Sequence, residues 1–195
     1  MFPELIQRWP PGSLKDEFLS WQGGSNKKIE PGILNGFIEW LKTVIPITYD
    51  EKEDKEVRIG KWPAYSAARD EVPEYCGRIA KTRELTMYSA DAVVYRADIR
   101  EAWPIEVEME LTYEAIGQAL SYEYAFSKVR DGILEASYWD ERTRHVSKKL
   151  SGMTVKPAIV CFVAPFDQCR VCEKLSMQVF YCQEGHLTKK GHWAN

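Results

Sequence analysis

The sequence of 195 residues predicts an α/β (α+β) fold in which a mixed central β-sheet is flanked by helices. Three observations support this prediction. The run from Pro157 to Pro165 is continuously apolar, which is typical of a strand buried on both faces. Pro104 to Leu111 alternates acidic and apolar residues at the period of a strand. Gly32 to Ile45 repeats apolar residues at helical spacing, and Pro46 ends that helix.

The other elements follow from local signals along the chain. Thr112 is the predicted N-cap of a helix that continues to Phe126. A turn is predicted over Arg96 to Ala102, between the strands on either side of it. The remaining predicted helices are Pro3 to Trp9, Leu14 to Trp21, residues 69–82 and Phe166 to Leu175. Leu85 to Met87 and Ala90 to Tyr95 are predicted as two strands or one bent strand, and Met177 to Cys182 as the last strand.

The length predicts a single domain over residues 1–195. Within it, we expect a helical N-terminal extension over 1–68, a core over 69–182 and a polar tail over 183–195.

Composition sets limits on the class of protein. The net charge of −3 argues against a strongly basic protein that coats nucleic acid non-specifically. It does not exclude a nuclease, because the carboxylates of a metal site lower the net charge while basic residues elsewhere contact phosphates. No apolar run approaches a membrane span, and the N-terminus lacks the pattern of a signal peptide. We therefore expect a cytoplasmic, intracellular protein with no membrane partner. Five cysteines, an odd number, argue against a complete disulfide framework.

The acidic residues of the central segment are the strongest candidates for a functional site. Glu106, Glu108 and Glu110 share one face of the predicted strand, and Asp91 lies on the preceding strand. Carboxylates that converge from adjacent strands suit Mg²⁺ or a similar divalent cation. The alternative is an ordinary amphipathic strand whose glutamates face water in an unrelated α/β protein.

This arrangement resembles the PD-(D/E)xK nuclease superfamily, whose restriction endonuclease-like core contains a β-meander and a crossover helix. Ala90-Asp91 matches the first acidic motif, and Glu106-Val107-Glu108 matches the second. The crossover helix of that family often carries a glutamine and an aromatic residue, here Gln118 and Tyr122. The resemblance covers about residues 85–182.

One position departs from the family motif. Glu108 stands where the family usually has the lysine that helps to activate water, although some members have glutamate there. Lys128, on the helix after the motif, is a candidate replacement, with a plain surface lysine as the alternative. The metal pair could also be Glu108 and Glu110. Glu74, from the segment before the meander, is the candidate for a further ligand.

The resemblance implies a nuclease that uses Mg²⁺ (or Mn²⁺) to hydrolyse phosphodiester bonds in DNA. The catalytic candidates are Asp91, Glu106, Glu108, Gln118 and Lys128, and the metal ligands are Asp91, Glu106, Glu108 and Glu74. DNA is the expected partner, and a homodimer is a further expectation from the family. The alternative is a catalytically inactive module of the same fold that binds nucleic acid or protein.

Two other patterns bear on ligands. Cys169, Cys172, Cys182 and His186 have a spacing that could hold Zn²⁺, but the surrounding apolar residues favour free core thiols. A local disulfide is the other alternative. Basic residues cluster locally, where they could contact phosphates or simply form a solvated surface. The clusters are Lys27-Lys28, Lys128-Arg130, Arg142-Arg144 with Lys148-Lys149, and Lys189-Lys190.

Overall fold

The computed structural model describes residues 5–10, 30–44, 59–61, 90–96, 99–133, 147–187 and 193–194. It has a mixed α/β architecture in which strands of a mixed sheet are flanked by helices, as the sequence predicted. In chain order the elements are β1 (Ile6–Arg8), α1 (Glu30–Val44), β2 (Ile59–Lys61), β3 (Ala92–Arg96), β4 (Glu101–Glu110), α2 (Tyr113–Asp131), β5 (Thr154–Val155), β6 (Ala158–Ala164), α3 (Phe166–Lys174), β7 (Gln178–Glu184), β8 (His186–Leu187) and β9 (Trp193–Ala194).

The chain forms two compact units, and β4 runs through both of them. Unit 1 comprises Met1–Ile47, Glu106–Ile116 and Ala158–Asn195, and unit 2 comprises Thr48–Ile105 and Gly117–Pro157. The predicted extension, residues 1–68, contains β1 and β2 as well as α1. The predicted boundaries at residues 68 and 182 stay predictions.

Unit 1 is built on parallel strand pairs. β6 pairs with β7 in parallel, and β7 pairs with β1 in parallel. All seven residues of β6 are buried, which confirms the prediction of a strand covered on both faces. The apolar stripe of α1 is buried from Ile33 to Leu41, as predicted, but Val44 at its end is exposed. The Phe37 ring packs 4.8 Å from that of Phe180 on β7. Burial of these aromatic rings holds α1 against the sheet.

Unit 2 is built on the antiparallel pair of β3 and β4, with β2 beside β3. β5 adds to β4 in parallel. Helix α2 packs on one face of this pair, where its buried residues share a core with strand residues and with the segment before β5. That core comprises Ala90, Val93, Tyr95, Ala102, Tyr122, Ala125, Phe126, Val129, Leu150 and Val155.

Two local predictions were wrong. A strand at Ile6–Arg8 replaces the helix expected from Pro3 to Trp9, because the backbone there pairs with β7: the Val179 N–H donates to the Leu5 carbonyl oxygen at 2.8 Å. The predicted turn was also too long, since β4 begins at Glu101 and Arg96 pairs with it. The helices predicted over Leu14 to Trp21 and 69–82, and the strand over Leu85 to Met87, lie outside the described residues.

The N-cap prediction is confirmed by a side-chain contact. The backbone N–H of Ala115 donates to Thr112 Oγ1 at 3.1 Å, which satisfies one of the free donors at the start of α2. The helix therefore starts immediately after β4 and carries Gln118 and Tyr122 within its first three turns.

In the part of the chain that the structure describes, none of the helices has both the length and the apolar character that a membrane crossing requires.

Candidate functional site

Asp91, the first predicted ligand, lies immediately before β3 and is half-buried. Its backbone N–H donates to the carbonyl oxygen of Ile105 at 2.9 Å, which extends the β3–β4 pairing to this residue. Asp91 shares its face of the strand with Val93 and Tyr95, because alternate residues point to the same side. Val93 and Tyr95 belong to the core under α2. The proposed ligand set required the strand after Asp91 to pair with the strand that carries Glu106 and Glu108. The β3–β4 pairing and this hydrogen bond confirm that requirement.

The acidic row on β4 has the alternation that the sequence predicted. Val107 and Met109 are buried, whereas Glu108 and Glu110 are half-buried. Glu106 differs from the other two acids because only 7% of it is exposed. A carboxylate at this depth loses much of its hydration, and a partner or a bound cation is needed to offset that loss. Glu106 therefore does not fit the alternative interpretation, in which the glutamates of an ordinary amphipathic strand face water.

Electrostatics connects Glu108 to a buried thiol in unit 1. Burial raises the pKa of Cys161 well above its usual range. Neighbouring thiols and the negative charge of Glu108 raise that pKa further. Cys161 lies at the middle of β6 and is fully buried. Glu108 is therefore close to β6, and a protonated, uncharged thiol is part of its surroundings.

The helix residues of the predicted site lie on α2. Tyr122 is buried in the same core as Ala90, the residue before Asp91. Gln118 is half-buried one turn earlier on the helix. Lys128 lies ten positions after Gln118, which corresponds to about 15 Å of helix rise. Its Nζ lies 4.6 Å from the centre of the Tyr124 ring, a cation–π contact at the far end of the helix.

The remaining ligand candidates give no additional support to a metal site. Glu74 lies outside the described residues. Among the residues that the structure describes, no group of three or more His, Cys, Asp and Glu side chains is arranged so that it could hold a metal ion. The predicted roles of Asp91, Glu106, Glu108 and Glu74 as ligands therefore stay predictions.

The cysteines of the possible zinc pattern occupy different elements. Cys169 and Cys172 lie on α3, and Cys182 lies on β7 between Tyr181 and Gln183. All are free thiols, and burial raises the pKa of Cys169 to about 11 and that of Cys172 to about 12. Thiols with such pKa values are protonated at neutral pH and are poor nucleophiles. The His186 side chain is outside the described part of the chain.

Cys161 is the residue that sequence reasoning missed in this region. It is electrostatically coupled to the thiols of Cys169, Cys172 and Cys182 as well as to Glu108. Cys161 appears in the sequence only as one apolar residue of the β6 run, so no local spacing could have connected it with α3. The connection arises from the β6–α3–β7 packing.

Comparison of the chain with models of known protein families, with curated proteins and with solved structures gave no match.

Proposed function

We propose that this chain is a metal-dependent nuclease that hydrolyses phosphodiester bonds in DNA. The observation that carries the proposal is the hydrogen bond from the Asp91 N–H to the carbonyl oxygen of Ile105, the residue before Glu106. It joins the two segments that carry the acidic motifs. The low exposure of Glu106 adds support, because a charged side chain is rarely this deeply buried unless an ion or another group compensates its charge.

The donor set suits a hard cation. Carboxylate oxygens are the ligands that Mg²⁺ and Mn²⁺ prefer, so Asp91, Glu106 and Glu108 are the residues that would hold the ion. Such an ion polarises a phosphoryl oxygen and lowers the pKa of a bound water. No protein nucleophile is needed in this scheme, which agrees with the raised pKa values of the nearby thiols.

Gln118 and Lys128 have separate roles in the proposal. Gln118, one helical turn from the buried Tyr122, is the candidate that would orient the attacking water or a carboxylate. Lys128 lies about 15 Å of helix rise away from Gln118, so the two cannot act on the same atom. The contact of Lys128 with the Tyr124 ring favours the plain surface lysine over a replacement for the motif lysine.

A second candidate function is a catalytically inactive module of the same fold that binds nucleic acid or protein. The observation that favours it is the glutamate at position 108, where a lysine is expected for water activation. Glu108 lies near the buried Cys161 thiol, and a carboxylate there cannot supply the positive charge of a lysine. This module would bind DNA without cleaving it in any divalent cation.

A cleavage assay separates the two functions. Linear, nicked and branched DNA is incubated with the wild type, Asp91→Ala and Glu106→Ala in Mg²⁺ and in Mn²⁺. We expect cleavage by the wild type only, with both variants folded by circular dichroism. Glu114→Ala is the matched control, because Glu114 is an exposed acid in the first turn of α2. Undiminished cleavage by both variants would refute the assigned site, and binding without cleavage by the wild type would favour the inactive module.

A further inference from the structure

One side of helix α2 faces away from the core and carries uncharged residues at its centre. These residues are Gly117, Leu120, Ser121 and Tyr124, and all four belong to unit 2. Gly117 and Tyr124 are exposed, whereas Leu120 and Ser121 are half-buried. The four lie within two turns on the side opposite Ala119 and Tyr122, which are buried. We call them the α2 face. Helix surfaces that meet only water are normally rich in charged side chains.

Gly117 has no reason within the described part of the chain to be a glycine. It lies in the second turn of a regular helix, where glycine is less stable than alanine. Its φ is not positive, so its backbone conformation is open to any residue. A Cβ atom added at Gly117 would meet no other atom within 4 Å. The glycine therefore leaves a shallow depression in the α2 face, which allows another chain to approach closely.

Tyr124 projects from the same face two helical turns later. Its residue surface is 54% exposed, which is high for an aromatic side chain. The Nζ of Lys128 lies 4.6 Å from the centre of the Tyr124 ring, and this cation–π contact restricts the ring. A side chain that is already ordered loses less conformational entropy when it packs against a partner. Tyr124 is thus a partly fixed projection, seven residues from the depression at Gly117.

The α2 face is complementary to itself when two helices run antiparallel. A two-fold axis between Leu120 and Ser121 places Tyr124 of each copy opposite Gly117 of the other, so that both projections meet a depression. The steps from Gly117 to Leu120 and from Leu120 to Tyr124 are three and four residues, which is the spacing of a seam between two packed helices.

The charges at the ends of α2 favour the same orientation. Glu114 lies in the first turn of the helix, and Lys128 lies in the last turn. Antiparallel packing brings the acidic start of each helix toward the basic end of the other, whereas parallel packing would align like charges. The opposed helix dipoles also favour the antiparallel pair.

We propose that the α2 face binds a second copy of this chain as an antiparallel helix pair, with Tyr124 of each copy packed over Gly117 of the other. This interface does not depend on the proposed nuclease function. The 19 residues of α2 span about 28 Å, and one such helix pair covers less than the roughly 800 Å² per partner that stable complexes bury. The dimer is therefore weak and forms reversibly as the protein concentration rises.

Sedimentation velocity over a concentration series that extends to millimolar protein measures this association. We expect a monomer–dimer equilibrium in the wild type, weakened about tenfold or more in Gly117→Gln and in Tyr124→Ala. Glutamine is a good helix former and meets no atom at position 117, so the Tm of dilute Gly117→Gln should not fall. Phe166→Ala is the matched control, because it removes a 69% exposed aromatic residue from α3 and should leave the dimer unchanged.

Cysteine crosslinking tests the orientation of the two helices. In the antiparallel dimer the two copies of Ser121 lie beside the two-fold axis, whereas the two copies of Ser127 are about 20 Å apart along the helices. Treatment with oxidised glutathione should therefore link Ser121→Cys into a covalent dimer and leave Ser127→Cys monomeric. The wild type, treated in the same way, accounts for the native cysteines.

Each result decides for or against the interface. Loss of the dimer in Gly117→Gln and Tyr124→Ala, with the control unaffected, supports it. A wild type that stays monomeric at every concentration overturns it and leaves the α2 face to a different partner. Equal weakening by Phe166→Ala overturns it as well, because association would then involve other apolar surfaces. Equal crosslinking of Ser121→Cys and Ser127→Cys overturns the antiparallel arrangement.

Discussion

The low exposure of Glu106 leads to a prediction about the effect of Mg²⁺ on stability. Only 7% of this residue is exposed, so its carboxyl group is held largely out of water. Partial dehydration of a carboxylate costs several kcal/mol unless opposite charge offsets it. If the β4 acids hold a cation, adding Mg²⁺ stabilises the folded protein, and replacing Glu106 by an uncharged amide of the same shape removes most of that effect.

The magnitude follows from the binding equilibrium. A cation at about one hundred times its Kd stabilises the folded state by about 2.7 kcal/mol. For a chain of this size, that corresponds to a rise in Tm of roughly 5 to 11 °C. We expect this rise in the wild type and a rise near zero in Glu106→Gln.

Differential scanning calorimetry of both proteins in EDTA, Mg²⁺ and Mn²⁺ checks this prediction. Glu114→Gln is the control, since it removes an exposed acid and should keep the full metal-dependent rise. The reasoning fails if Glu106→Gln shows the same rise as the wild type, because the cation would then be bound elsewhere.

Two further predictions concern the elements that position the site. Thr112→Ala should lower the free energy of unfolding by about 1 kcal/mol, because the hydrogen bond from the Ala115 N–H is lost. Thr112→Ser keeps a hydroxyl oxygen at this position and should retain most of the stability. Urea titration measures both variants, and equal losses of stability would contradict the capping role. Burial raises the pKa of Cys172 to about 12, so the folded protein favours the protonated thiol more strongly than the unfolded chain does. The stability that the protonated thiol provides is fully present below about pH 8.5 and is lost as pH rises toward 12. The free energy of unfolding falls by at most about 1.4 kcal/mol per pH unit over this range. Urea titrations from pH 8 to 11 should show a shallower decline in Cys172→Ala, and an identical decline would contradict the burial of this thiol.

The sequence predicted the elements whose signals are local. The apolar stripe of α1, the buried run of β6 and the capping residue Thr112 each depend on residues close in the chain, and the structure confirms all of them. The alternation of acids along β4 is also local, because strand geometry alone determines which side chains share a face.

The features that sequence reasoning missed depend on long-range contacts. The segment that forms β1 was predicted as a helix from its local pattern. Its pairing with β7 joins residues far apart in the chain, and this tertiary pairing overrides the local preference. The proximity of Cys161 to Glu108 needs β6 and β4 to be assembled.

The most direct test of the proposed metal centre is an anomalous difference map from a crystal of the protein containing Mn²⁺. We expect a Mn²⁺ peak within about 2.0–2.6 Å of carboxylate oxygens from Asp91 and Glu106, the range spanned by Mg²⁺ and Ca²⁺ ligands. A Mn²⁺ peak bound only by other residues would contradict the account.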